Sequence, residues 1–168
     1  MKLSRIVPVV LVAFVAMAYI GFRVWETSWY KGMVPGAIAI KSTVLIDGQS
    51  GIREGCGVAI FKLSDSTLAR IRSSGLAAVA EAHEAREHPG AYYFTFVEWQ
   101  ETPYVSTGDG LTRKDRWLSG LGCADMDEGL RQNIDKATRS RGSFYATREE
   151  AGLIVIPALG LVVLSYEG

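Results

Sequence analysis

The chain has 168 residues, 48% of them hydrophobic, and its 18 basic and 18 acidic side chains balance to zero net charge. That apolar content excludes wholesale disorder, and the length suffices for one core that needs neither a metal nor several crosslinks. Setting aside Lys2, Arg5, Arg23 and Glu26 leaves 15 basic and 17 acidic residues, without the basic footprint that phosphate neutralisation requires, so nucleic acid is disfavoured as a partner.

The N-terminus is the most informative segment. Residues 1–5 form a short basic region with Lys2 and Arg5, followed by 17 uncharged residues, 6–22. The apolar stretch reaches Trp25 if Arg23 extends its side chain toward water. As a helix, residues 6–25 span roughly 30 Å, the thickness of a bilayer's hydrocarbon core. Pro8 falls in the first turn, where its missing N–H costs least. Arg23, Trp25, Trp29 and Tyr30 have the character of a membrane-interface belt. Positive charge tends to stay in the cytoplasm. The expectation is therefore a single-pass signal anchor in the inner (plasma) membrane of a bacterial-type envelope. The competing reading is a signal peptide cleaved near residue 18, after Ala16-Met17-Ala18, which leaves a periplasmic protein. No cysteine follows the apolar run, so a lipid-modified N-terminal cysteine is not supported.

Residues 26–36 read as a linker and 37–168 as one extracytoplasmic α+β domain. Residues 37–46 are rich in Ile, Val and Thr and predict a strand. Residues 47–51 read as a turn and 56–63 as a second strand, the pair forming an antiparallel hairpin. Ser64, Asp65 and Ser66 are candidate N-caps for a helix that residues 73–75 end. An Ala-rich segment, 76–87, predicts another helix, stopped by Pro89 and Gly90.

Residues 92–100 alternate with aromatics on both sides and read as a central strand. Residues 102–116 are the longest loop. Asp125 or Asp127 caps a helix over 128–138 with Leu130 and Ile134 on its inner face. Residues 143–147, 153–156 and 161–166 predict a closing β-meander. No internal repeat is present. The order suggests an antiparallel sheet with two or three helices on one face.

Two cysteines, Cys56 and Cys123, make an even count, which in an exported domain points to one disulfide; two separate buried thiols are the alternative. His83 and His88 are weak metal candidates. Their i, i+5 spacing departs from the i, i+4 pair of a zinc-protease helix and turns the two rings about 140° apart. Asp125 and Asp127 resemble a calcium loop only faintly, and helix capping explains them more simply.

No G-x-S-x-G elbow, phosphate-binding loop or dinucleotide fingerprint occurs, so no nucleotide and no cofactor is called for. Glu98 and Glu101 flank Trp99 in the manner of a carboxylate pair at a sugar site. Trp99, Glu101, Tyr104, Arg113, Arg116 and Trp117 form a candidate interaction surface, since aromatics and Arg are enriched at interface anchors; the alternative is that the three aromatics pack over a sheet edge.

The functional expectation is an interaction module without an evident catalytic site, bound to the bilayer by its first helix and to another envelope or exported protein. An accessory, inhibitor or immunity-type protein fits that description. The alternatives are a small envelope hydrolase, using His83 and His88 or Glu98 and Glu101, and a small-ligand or lipid binder with residues 92–99 as a pocket wall.

Overall fold

The computed structural model describes residues 3–50, 54–103 and 120–168, with side chains of the first helix from Pro8 onward. In chain order the elements are α1 (Leu3–Met33), β1 (Ile40–Ser50), β2 (Gly55–Leu63), α2 (Asp65–Ser74), β3 (Gln100–Glu101), α3 (Gly120–Cys123), α4 (Glu128–Arg139), β4 (Phe144–Arg148), β5 (Ala151–Ile156) and β6 (Leu161–Glu167). The six strands form one antiparallel sheet in the order β1-β2-β6-β5-β4-β3. The fold class is thus α+β, as the sequence suggests, with the predicted hairpin at β1–β2 and the predicted meander at β4–β5–β6.

Helices cover both faces of the sheet rather than one. Side chains alternate across a strand, and β2 divides its residues accordingly. Ala59, Phe61 and Leu63 join a core with Ile71 of α2, Val34, Ile38 and the 79–99 segment. Val58 and Ile60 join a second core with Ile134 and Ala137 of α4. The central strand β5 is buried along its whole length, which explains its nearly continuous apolar run.

The helix caps follow the sequence. The Ser64 hydroxyl accepts from Thr67 N at 3.2 Å, and the Asp127 carboxylate accepts from Leu130 N at 3.0 Å. Gly75 at φ 57° ends α2 in the conformation that glycine tolerates.

Three local expectations fail. Residues 47–50 belong to β1, where Asp47 faces Val58 and Gly48 faces Gly57. Residues 76–87 form no α-helix. A short 3-10 turn (Gly75–Ala78) gives way to irregular chain. Its backbone bonds go elsewhere, with Ala85 N to Phe94 O at 3.3 Å and Phe96 N to His83 O at 2.9 Å. Tertiary burial of Val79, Ala82 and Ala85 overrides the helix propensity of alanine. Residues 92–100 are not a central strand either. They comprise a 3-10 turn (Tyr92–Phe94), an extended stretch and the two-residue edge strand β3.

Cys56 and Cys123 are disulfide-bonded, tying β2 to α3 across a sequence separation of 67 residues. Closing a loop of that length stabilises by about 4 kcal/mol in the chain-entropy account. The start of α3 lies close against the sheet. A Cβ on Gly120 would lie 2.5 Å from Ser165 Oγ, 2.5 Å from Tyr166 O and 2.6 Å from Gly57 O. Two of those three atoms are backbone and cannot swing aside. Gly120→Ala is therefore expected to destabilise the full chain by about 1–3 kcal/mol through overpacking, read as a lower urea midpoint; an unchanged midpoint would show that α3 does not sit this close.

Candidate functional site

Two features have the makings of a site: the junction where α1 meets the domain, and an aromatic cavity around Arg148.

The segment Pro8–Met33 of α1 is long and apolar enough to cross a membrane, with a mean hydropathy of 1.9 in its most apolar window and none of that window buried. Large apolar side chains including Val9, Leu11, Phe14, Ile20 and Phe22 lie exposed along it. Single exposed apolar residues are ordinary, but a continuous sheath of them marks a surface meant for an apolar partner or a bilayer. The helix does not stop at Trp25. It continues to Met33, and Val34 and Ile38 are wholly buried in the first core. Residues 26–36 are therefore the last turns of a rigid helix plus the first core residues, not a linker.

The end of α1 is held by specific bonds. Glu87 N donates to Gly32 O at 3.1 Å and Arg86 N to Val34 O at 3.3 Å, while Arg86 Nη2 donates to Ile38 O at 3.0 Å. The Tyr30 ring stacks on Tyr166 of β6 with centroids 5.7 Å apart, and the two hydroxyls meet at 2.6 Å. Of the belt expected from sequence, Arg23 pairs with Glu26 one turn on. Trp25 stacks on Trp29 at 6.1 Å, and Tyr30 turns into the domain.

From Trp29 the ring contacts continue into the domain. Trp29 meets His88 edge-on at 5.4 Å, His88 stacks on Phe94 at 4.1 Å, and Phe94 meets Tyr93 edge-on at 5.3 Å. Arg148 closes the series, its guanidinium 4.8 Å from the Tyr93 ring centroid, 5.4 Å from Phe94 and 5.7 Å from Phe96.

Arg148 ends β4 on the same face as Phe144 and Ala146, at 9% exposure. Its Nη1 donates to Tyr93 O and Glu149 O, each at 3.2 Å, and its Nε is buried without a partner. Burial pulls its pKa below the usual arginine value, against the opposing pull of Tyr93 and Glu150. Burial likewise raises the pKa of Tyr93, as does its hydroxyl's bond to Glu150 Oε2 at 2.8 Å, while Arg148 lowers it. Glu150 turns the β4–β5 corner at φ 61°, a conformation that non-glycine residues rarely adopt. Tyr92, Tyr93, Thr95, Phe96, Val97 and the chain from Thr147 to Glu149 line a cavity of about 360 Å³.

The remaining predicted residues that are described fall outside these two features, His88 excepted. Trp99 is 3% exposed and its indole donates to Ala82 O at 2.9 Å, so it is core and not a recognition surface. Glu101 accepts from Arg141 Nη2 and from Gly142 N, both at 3.2 Å, while Glu98 stands exposed. Tyr104, Arg113, Arg116 and Trp117, with most of the predicted 102–116 loop, lie outside the described residues. His83 Nδ1 lies 3.2 Å from Phe96 O, and the His88 ring is held between Trp29 and Phe94. Among the described residues no group of three His, Cys, Asp or Glu is placed to hold a metal ion.

Arg148 escaped sequence reading because its predicted strand ends at Thr147. Carrying the period of two one residue further puts an arginine on the core face.

No protein-family model, curated protein sequence or solved structure matches the chain.

The Tyr30–Tyr166 contact fixes the helix to the sheet, so its hydroxyl pair can be removed at little cost to packing. Tyr166→Phe is expected to lower the unfolding free energy of the full chain by about 0.5–1.5 kcal/mol, the net worth of one hydrogen bond. A denaturation curve identical to that of the native chain would contradict the bond.

Proposed function

We propose that this chain is a single-pass membrane protein whose α+β domain stands outside the cytoplasm, close against the bilayer, as a binding module for another envelope or exported protein. An accessory, inhibitory or immunity role fits that placement. The observation that carries the reading is the uninterrupted passage of α1 from an uncovered apolar sheath into the buried core of the domain. Residues 8–33 as a helix measure roughly 39 Å, against roughly 30 Å for the hydrocarbon core, which leaves only two turns between bilayer and domain.

The disulfide supports an oxidising compartment. Lys2 and Arg5 at the opposite end of the span support a cytoplasmic N-terminus. The carboxylate-pair reading loses support, because Glu101 is engaged by Arg141 and Gly142.

A partner would meet surface that the domain leaves open. β1 is an edge strand with most of its side chains exposed, Val44 among them at 40%. Such an edge is a template for pairing with another chain. A photo-crosslinking residue placed at Val44, and another at Arg116 of the surface predicted from sequence, are expected to capture discrete membrane or exported proteins in living cells. Crosslinking that stays diffuse at both positions, together with no protein co-purifying from solubilised membranes, would overturn the interaction role.

A further inference from the structure

The cavity beside Arg148 has no part in that role, and its chemistry is unusual for a gap in packing. One wall is apolar and aromatic, made by Tyr92, Phe96 and Val97; the other is the end of β4. Set into it is a guanidinium at 9% exposure whose Nη1 donates to two neutral carbonyls and whose side-chain neighbour is the Tyr93 hydroxyl. Its Nε is buried and unpartnered. No carboxylate forms an ion pair with it among the described residues. Glu150 acts on it only from beyond Tyr93, whose hydroxyl its carboxylate takes.

A buried cation normally has an anion beside it, because the desolvation cost is otherwise uncompensated. The rings of Tyr93, Phe94 and Phe96 supply only part of that compensation. What the guanidinium lacks, among the described residues, is a carboxylate in direct contact, since it presents its donors as a fork that fits one. Exposed Glu149 at the rim disfavours a dianion such as a phosphate monoester. The volume, about 360 Å³, falls at the small end of ligand pockets.

We propose that this cavity binds a small monocarboxylate. Its apolar body lies against Tyr92, Phe96 and Val97, and its carboxylate meets the Arg148 guanidinium where that lines the cavity. The ring series from Trp29 through His88 and Phe94 ends at the same arginine, which places the cavity beside the end of the apolar helix. Such an acid has two sources: a medium-chain fatty acid drawn from the bilayer interface, or a soluble aromatic acid.

The test uses the full chain in phosphatidylcholine nanodiscs, with empty discs as blank. Octanoate and 3-phenylpropionate are each titrated against their primary amides by saturation-transfer NMR. At least one acid is expected to bind about tenfold or more tightly than its amide, the worth of a charged hydrogen bond. Octanoate as the better ligand identifies the bilayer as source, and 3-phenylpropionate a soluble acid.

Arg148→Met is expected to erase the difference between acid and amide. Because that variant removes a buried side chain, Val97→Trp serves as the second arm. Val97 is 51% exposed at the cavity wall, so the larger ring blocks the cavity with Arg148 intact, and both acids should lose binding. The proposal is overturned by equal affinity for acid and amide, by no binding of either acid, by binding undiminished in Val97→Trp, or by stronger binding of 3-phenylpropylamine, which would give the site to Glu149. Each result is independent of whether a protein partner exists.

Discussion

One chain here joins two kinds of surface, an uncovered apolar sheath and a packed core, and the change between them falls within about three turns of a single helix. From Val9 to Trp25 the large apolar side chains of α1 are uncovered; by Val34 the chain is in the core of a folded domain. Nothing flexible separates the two. A peptide helix cannot bend sharply without a proline, a glycine pair or a bulge, and between Trp25 and Met33 the only such residue is Gly32, one residue before the helix ends. The orientation of the domain is consequently set by α1, and whatever α1 is dissolved in lies immediately beside the sheet.

The bonds that hold this junction use residues from the whole chain. Tyr166 comes from the last strand, and residues 85–87 from the irregular segment between α2 and β3. That segment, non-helical through the burial of Val79, Ala82 and Ala85, is bonded into the junction. Its N–H groups are given to Gly32 and Val34 on one side and to Phe94 on the other, and its His83 carbonyl accepts from Phe96 N. The same stretch carries Tyr93 and Phe94 against Arg148, beside the cavity at the end of β4.

What the sequence made legible follows from how local the determining physics is. The caps of α2 and α4, the β1–β2 hairpin and the β4–β5–β6 meander depend on near neighbours and on a two-residue period, and these were readable. The cysteine pair was readable from parity and compartment. Residues 76–87 were misread because alanine's helix preference, worth a few tenths of a kcal/mol per residue over its competitors, loses to burial of Val79, Ala82 and Ala85. Residues 92–100 were misread because aromatic alternation resembles a strand, whereas Phe96 and Trp99 alone are buried there, three residues apart. The placement of helices on both faces, and the meeting of Tyr93 with Arg148 across 55 residues, are non-local and left no periodic trace.

The proposed placement makes the compartment of the domain its most exposed commitment. The most direct measurement fuses alkaline phosphatase, active only outside the cytoplasm, and separately a fluorescent protein that matures only inside it, after Gly168. The account predicts strong phosphatase activity and a dark fluorescent fusion, both in the membrane fraction after alkaline wash. A bright fluorescent fusion with inactive phosphatase would contradict it.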